Sequence, residues 1–249
     1  MDADELVIAI GRYLHGRHQP LLYTLPSNTR VSVLEEADDY AEHCVEAFLS
    51  ACIDVVGLDI EWASSDRTIA LVQLAAGNEC LLMRPKFLTC MPQALRTALE
   101  DNHVLKCGVG IAQDLQLLDV QLGINVHGAV ELSALAAHHD HVEHGLGLAG
   151  ICRSVLGKLL PKQNHIRCSN WAGLLTEEQI QYAACDATVA VDITKEMHRQ
   201  HAAEAMLLQE FCQGFIDVLK FPRMRQKVSA DGSSITFPEN ADDKVKPRS

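Results

Sequence analysis

The chain has 249 residues, of which 48% are hydrophobic, 22% charged and 5% aromatic, and its formal net charge is −12. This length and hydrophobic content allow one large domain with a substantial core and exclude a wholly disordered chain. No apolar run approaches the roughly 20 residues that cross a bilayer, and the acidic start is unlike a signal or transit peptide. We therefore expect a soluble, intracellular protein, nuclear or cytoplasmic, without membrane contact.

Cysteine usage and net charge restrict the possible partners. Nine cysteines without any CxxC pair predict small core residues in a reducing compartment, and they suit neither a disulfide framework nor a zinc finger. The negative charge, taken alone, argues against nucleic acid, because proteins that bind polyanions are usually basic. This objection weakens if a metal ion neutralises some of the acids.

The predicted elements alternate between strands and helices along the first half of the chain. Apolar, β-branched runs predict strands at 31–35, 55–61, 68–75, 79–84 and 104–107. Predicted helices cover 37–51, 91–100, 111–122 and most of the chain from 132 to about 200. Thr176 and Gln179 form a capping box at the start of the last helix. This order indicates an α/β layered domain with a mixed sheet.

The terminal segments differ from the central part of the chain. We expect an N-terminal extension over 1–30, one domain over 31–202 and a further helix over 203–221. Residues 222–249 are polar and contain Pro and Gly, which is typical of a disordered tail.

Two acids inside an apolar strand are the strongest functional signal. Asp59 and Glu61 lie two positions apart in the run Val55–Trp62, and side chains at that spacing point to the same face of a strand. Like charges in an apolar setting repel each other and lose solvation unless a cation lies between them. The pair therefore predicts a divalent metal, although surface acids on an amphipathic strand are the common alternative.

Two further acids lie on predicted helices. Asp114 follows Gly108-Val109-Gly110 at the start of a helix, where an acid is also favoured by the helix dipole alone. Asp186 lies four residues after Tyr182, so both share one helix face. A buried tyrosine with a structural hydrogen bond is the simpler interpretation of that second pair.

Taken together, these segments resemble a known family. Residues 58–62, 108–114 and 182–186 have the order and spacing of the three exonuclease motifs of the DEDD superfamily, in its DEDDy branch. The runs 69–75 and 167–171 are also similar to that family. The chain is most similar to the Werner-type exonuclease domain and to the exonuclease 3′–5′ domain-containing proteins, over about residues 31–202.

The resemblance implies an RNase H-like fold and hydrolysis of a 3′-terminal phosphodiester bond in DNA or RNA by two Mg²⁺ or Mn²⁺ ions, releasing nucleoside 5′-monophosphates. It implies that Asp59 bridges both ions and that Glu61 and Asp186 complete the site that carries the attacking water. Asp114 would hold the second ion, and Tyr182 would position the water. Hard carboxylate ligands suit these ions, and a phenol is a poor free base at neutral pH.

Four further residues are candidates for contact with the nucleic acid. Trp62 could pack beside the terminal nucleotide, Leu74 could wedge the terminal base, and Lys106 and Arg167 could bind phosphates. Core packing or a solvated surface charge is the alternative for each of them. The histidine-rich run 138–144 is interpreted as an exposed loop, with a structural zinc site as the alternative.

Two other functions remain open from the sequence. The same fold could serve as a nucleic-acid-binding adaptor with little or no catalysis, or as a trimmer of structured RNA similar to RNase D. Choosing between DNA and RNA depends on contacts to the 2′-hydroxyl, which the sequence does not reveal.

Overall fold

The computed structural model describes most of the chain. It covers residues 21–52, 54–63, 66–139, 146–161, 163–201 and 211–212, and the backbone of 224–228 and 234–238. The predictions for residues 1–20, for most of 203–221 and for the centre of the histidine-rich run lie outside the described residues.

Strands and helices alternate as predicted. The strands are β1 Arg30–Leu34, β2 Val55–Trp62, β3 Ile69–Ala76, β4 Glu79–Met83, β5 Leu105–Gly108 and β6 Ala129–Glu131. The helices are α1 Asp39–Ala51, α2 Pro85–Leu88, α3 Gln93–Glu100, α4 Ile111–Leu122, α5 Leu132–His138, α6 Leu148–Leu156, α7 Asn164–Arg167 and α8 Glu177–His201. Within the described residues, no helix is both long and apolar enough to cross a bilayer.

The six strands form one mixed sheet in the order β1-β4-β3-β2-β5-β6. Strand β3 is antiparallel to both of its neighbours, whereas β1 with β4, β2 with β5, and β5 with β6 pair in parallel. All eight residues of β3 are buried, as expected for an inner strand covered on both faces. The predicted α/β fold with a mixed sheet flanked by helices is confirmed.

Strand β2 presents two different faces to the two helical layers. Val56, Leu58 and Ile60 belong to the apolar core formed with α1, α3 and α4. The alternating positions, among them Asp59 and Glu61, face the layer that contains α8. The predicted pairing of the two acids on one face therefore holds.

Helix α8 lies unusually close to β2 because residue 57 is a glycine. A Cβ atom placed on Gly57 would lie 1.9 Å from the carbonyl oxygen of Ala187 and 3.1 Å from Val191 Cγ2. The absent side chain lets the middle of the helix touch the strand backbone. As a result, the acids of β2 and the acid of α8 belong to one site.

The start of α8 confirms the predicted capping box. Thr176 Oγ1 accepts a hydrogen bond from the Gln179 amide at 3.2 Å, and Gln179 Oε1 accepts one from the Thr176 amide at 2.9 Å. Gln179 Nε2 also donates to Ser169 Oγ and to the Asn170 carbonyl. The cap therefore fixes the beginning of the 25-residue helix against the loop before it.

Three features differ from the sequence prediction. Strand β6 is short, and its pairing with β5 is a long-range contact that three residues do not reveal. Part of the predicted N-terminal extension packs on the domain, since Tyr23 is buried and its hydroxyl donates to Asp192 Oδ2 at 2.8 Å. Within the predicted tail, β7 Met224–Val228 pairs antiparallel with β8 Ser234–Pro238.

Candidate active site

One cleft of about 770 Å³ collects all four predicted acids and the predicted tyrosine. Its walls come from β2, from the start of α4, from the start of α6, from α7 with the loop after it, and from α8. Ligand sites in proteins commonly have this size. The polar lining of the cleft includes Asp59, Glu61, Asp114, Tyr182 and Asp186.

The two acids of β2 are held in a setting that opposes their charge. Desolvation by burial raises the pKa of Glu61 from its ordinary value of 4.5 to about 9, and Asp59 and Asp186 add to this effect. Burial and then the charge of Asp186 likewise raise the pKa of Asp59, while hydrogen bonds from the Ile60 amide and from Gln73 act in the opposite direction. Both side chains are only partly buried and line the cleft, so a ligand in the cleft can reach them.

Helix α8 contributes the next acid and the tyrosine. Burial raises the pKa of Asp186, and a hydrogen bond with Tyr182 one turn earlier partly opposes this. The pKa of Tyr182 rises through burial and through the charges of Asp186 and Glu61, so its hydroxyl stays protonated at neutral pH. The Tyr182 ring lies 6.1 Å from that of Trp171, centroid to centroid, in a tilted arrangement, which supports its orientation.

Asp114 is positioned by an unusual helix start. The N-cap of α4 is Gly110 in the left-handed region, with φ of 74° and no side-chain cap of its own. Instead Glu131 Oε2 accepts hydrogen bonds from the amides of Gly110 and Ile111, at 2.8 and 3.1 Å. Asp114 is buried one turn further on, and burial together with Asp59 and Glu61 raises its pKa well above the ordinary range.

The donor set fits divalent cations. Burial raises the pKa of all four carboxyls, and the charges of neighbouring acids add to this for Asp59, Glu61 and Asp114, so each would lose its proton more easily beside a cation. Carboxylate oxygens are the ligands that Mg²⁺ and Mn²⁺ prefer. In the described part of the chain, no three His, Cys, Asp or Glu side chains already form a group that could hold an ion. The acids therefore share a cleft without forming a closed coordination shell.

Two of the four predicted substrate contacts line the cleft. Arg167 is exposed there, and its charge lowers the otherwise raised pKa of Glu61. Trp62 lies at the end of β2, partly packed against the core, with the guanidinium carbon of Arg67 5.6 Å from its ring centroid. Both side chains are placed where a nucleotide could reach them.

The other two predicted contacts do not reach the cleft and are corrected here. Leu74 is fully buried on the face of β3 that points away from α8, in the core with α1. Lys106 is also fully buried, and its Nζ donates to the carbonyls of Asp101 at 2.6 Å, Val104 at 2.8 Å and Ala98 at 3.4 Å. Its charge is satisfied inside the fold, so it is not a phosphate ligand.

The sequence analysis missed three polar residues that organise the cleft. Gln73 contacts Asp59, Glu131 caps α4, and Arg84 donates to the carbonyls of Ala70 and of the loop 171–173 at 2.7 to 3.2 Å. Gln73 carried a signal, because it is the single polar residue in the run 69–76. Arg84 and Glu131 had none, because their partners are backbone groups that the fold brings near.

Comparison with protein families decides the assignment. The family described as 3′-5′ exonuclease matches residues 34–202, which contain all four acids and the tyrosine. The chain belongs to the 3′–5′ exonuclease family. Its family members include exonuclease 3′-5′ domain-containing protein 2 from Homo sapiens, which is 32% identical over 213 residues. That alignment covers 76% of this chain and 34% of the relative.

Two further relatives show how the 3′–5′ exonuclease domain occurs in longer proteins. The bifunctional 3′-5′ exonuclease/ATP-dependent helicase WRN from Mus musculus is 34% identical over 58% of this chain and 11% of its own length. A 3′-5′ exonuclease from Arabidopsis thaliana is 36% identical over 54% of this chain and 49% of its own length. The chain thus spans about a third of its human relative and about a tenth of the mouse helicase.

Solved structures show the same fold. The Nibbler EXO domain of Aedes aegypti superimposes with a TM-score of 0.62 at 21% identity, covering 78% of this chain and 99% of that domain. Escherichia coli RNase D superimposes with a TM-score of 0.57 at 21% identity, covering 75% of this chain and 50% of that protein. The predicted RNase H-like exonuclease fold is therefore confirmed.

Proposed function

We propose that the chain removes nucleotides from the 3′ end of DNA or RNA by metal-dependent hydrolysis of the terminal phosphodiester bond. The observation that carries the proposal is the convergence of four carboxylates, from β2, α4 and α8, on the wall of one cleft. Membership of the 3′–5′ exonuclease family supports the same chemistry.

The acids would hold two divalent ions, Mg²⁺ or Mn²⁺. Asp59, Glu61, Asp114 and Asp186, which line one cleft, are the residues that would hold them. When bound, such an ion pair activates water and stabilises the leaving oxygen. The acid set itself supplies the negative charge that concentrates the cations beside the scissile phosphate.

Tyr182 would orient the attacking water. Its hydroxyl stays protonated at neutral pH, because the ordinary pKa of a phenol is about 10 and burial raises that of Tyr182 further, so it hydrogen-bonds but does not serve as a base. The water oxygen forms a new bond to phosphorus, and the bond from phosphorus to the O3′ of the preceding nucleotide breaks. That O3′ takes up a proton, and a nucleoside 5′-monophosphate leaves.

The test is a degradation assay on labelled strands. Purified protein is mixed with 5′-labelled single-stranded DNA, single-stranded RNA and the corresponding duplexes, with Mg²⁺ or Mn²⁺. We expect a ladder that shortens from the 3′ end and that is absent with EDTA and in Asp59→Ala.

Other outcomes of this assay separate the alternatives. Full-length substrate under every metal, with retained binding to the strand, would contradict catalysis and favour a binding adaptor. Much faster shortening of structured RNA than of DNA would favour a trimmer similar to RNase D.

A further inference from the structure

We propose that Gln73 is a positioning residue that ties Asp59 to helix α8 and so fixes the carboxylate on which the metal site depends. This inference rests on the proposed function, because it assigns a task within that same site. It concerns a residue on β3, a strand that contributes no acid.

Gln73 lies directly opposite Asp59 in the sheet. The antiparallel pairing of β2 and β3 places Asp59 across from Gln73, with Leu58 opposite Leu74 and Ile60 opposite Val72. Paired side chains on adjacent strands point to the same face at close range. Gln73 therefore reaches the α8 side of the sheet, and its side chain is fully buried there.

The hydrogen bonds of Gln73 join the two halves of the acid set. With its nitrogen oriented toward the acceptors, the amide donates to Asp59 Oδ2 at 3.2 Å and to the Ala183 carbonyl at 2.8 Å. Both partners are acceptors, so only the nitrogen of the amide can satisfy them. Ala183 follows Tyr182 on α8, and Asp186 lies one turn further on.

The geometry gives Gln73 a specific task. One oxygen of Asp59 is tied to β3, and the same amide group is tied to the helix that carries Asp186. Partners behind a ligating carboxylate fix its orientation, and their loss typically weakens metal binding about 10- to 100-fold. A residue that served packing alone would change the stability of the fold and leave metal affinity unchanged.

The experiment compares Gln73→Met with a matched core variant. Methionine keeps the length and removes both donors. The matched variant is Val72→Ala. Val72 precedes Gln73 on β3, is fully buried, and lies on the opposite face of the sheet from the acids. Gln73→Asn, which keeps the amide but withdraws it by one methylene, replaces Gln73→Met if the latter does not fold.

Mn²⁺ affinity is measured by isothermal titration calorimetry on the metal-free full chain, without nucleic acid. Melting temperature and the Mn²⁺ dependence of strand shortening are recorded in parallel. We expect Gln73→Met to bind Mn²⁺ about 10- to 100-fold more weakly and to regain most of its activity at high Mn²⁺. Val72→Ala should melt at a lower temperature and bind Mn²⁺ within twofold of the wild type.

Two results would overturn the inference, and they are distinguishable. If wild type binds Mn²⁺ and shortens strands, and Gln73→Met binds Mn²⁺ equally well, then Gln73 serves packing alone. If wild type neither binds Mn²⁺ nor shortens any strand, the proposed function fails and the role of Gln73 fails with it.

Discussion

Two places in this fold hold charge away from water, and they do so in opposite ways. Lys106 on β5 is fully buried, and three backbone carbonyls accept hydrogen bonds from its ammonium. The four acids of the cleft have their pKa raised by burial, and for Asp59, Glu61 and Asp114 also by the charges of neighbouring acids. The lysine has its partners inside the protein, whereas Arg167 is the single Lys or Arg beside the four acids among the described residues that line the cleft.

This difference separates a structural charge from a functional one. A buried ion whose hydrogen bonds are met by the fold is satisfied where it lies and is not available to a ligand, and removal of one partner leaves the other polar group unpaired. Like charges that share a cleft are costly until a ligand of opposite sign arrives, and such perturbed groups are typical of functional sites. Lys106 and Asp114 are both buried charged residues, so burial alone does not distinguish a structural charge from a functional one. The difference lies in the groups that surround each of them.

The largest expected effect follows from removing the charge of one cleft acid. Asp59→Asn should lower the rate of strand shortening by at least about a thousandfold, because the site loses several kcal/mol of charge stabilisation. At pH 9 and without metal, where the Asp59 carboxyl with its pKa of about 8 is mostly ionised, the same variant should raise the melting temperature, since one repelling charge is removed. A single-turnover assay and a thermal melt in EDTA check both changes, and a lower melting temperature would contradict the repulsion described above.

Lys106→Met should give the reverse pattern. Removal of the ammonium leaves the carbonyls of Ala98, Asp101 and Val104 without this donor, so the free energy of unfolding should fall by roughly 1–3 kcal/mol. Activity per folded molecule at low temperature should stay close to wild type, because Lys106 does not reach the cleft. Urea denaturation combined with the strand assay tests this, and a large loss of activity in the folded variant would restore Lys106 as a substrate contact.

Tyr182→Phe should separate water orientation from metal binding. Loss of the hydroxyl should slow turnover about a hundredfold, the lower end of what positioned proton-handling groups contribute. Mn²⁺ affinity should stay close to wild type, because the four acids are unchanged. Turnover under saturating Mn²⁺ and calorimetric Mn²⁺ titration are the measurements, and equal activity would remove Tyr182 from the mechanism.

Stability should depend on pH in a direction set by the acids. Glu61 has a pKa of about 9 in the folded protein and 4.5 when unperturbed, so the folded state binds more protons between these values. Stability of the metal-free protein should therefore fall progressively as pH rises through this window, because the buried carboxyl loses its proton in the folded state. Thermal melts from pH 5 to 9 measure this slope, which saturating Mn²⁺ and the variant Glu61→Gln should both flatten.

The smallest expected effect concerns the strength of substrate binding. Arg167 is the only Lys or Arg side chain that lines the cleft among the described residues. Arg167→Gln should raise KM several-fold and make the slope of log KM against log salt shallower by about 0.7, the value for one phosphate contact on a single strand. An unchanged slope would show that Arg167 contacts no phosphate.

The residues explain how far the sequence could predict the structure. The common strand face of Asp59 and Glu61, the capping box at Thr176 and the order of the main strands follow from local spacing, and the structure confirms these three features. The prediction that Lys106 binds a phosphate was wrong, because the burial of Lys106 depends on carbonyls at the end of α3, which no local sequence pattern shows. The prediction that Leu74 contacts the terminal base was wrong, because the pairing of β3 with β2 decides which face of the sheet Leu74 points to.

The remaining site residues depend on contacts that arise only in the folded chain. Glu131 reaches the start of α4 because β5 and β6 pair, and β6 is too short to carry a strand pattern. Gln73 lies opposite Asp59 only in one register of the sheet. A polar residue within an apolar strand indicates that such a contact exists, but the sequence does not identify its partner.

The missing side chain at residue 57 also sets the width of the cleft. Because the helix backbone rests on the strand backbone at Gly57, the gap between the acids of β2 and the acid of α8 is set by main-chain contact. Exchange of the surrounding side chains can alter what enters the cleft while this gap keeps its width. The fold can therefore vary its substrates without rebuilding the spacing of its acids.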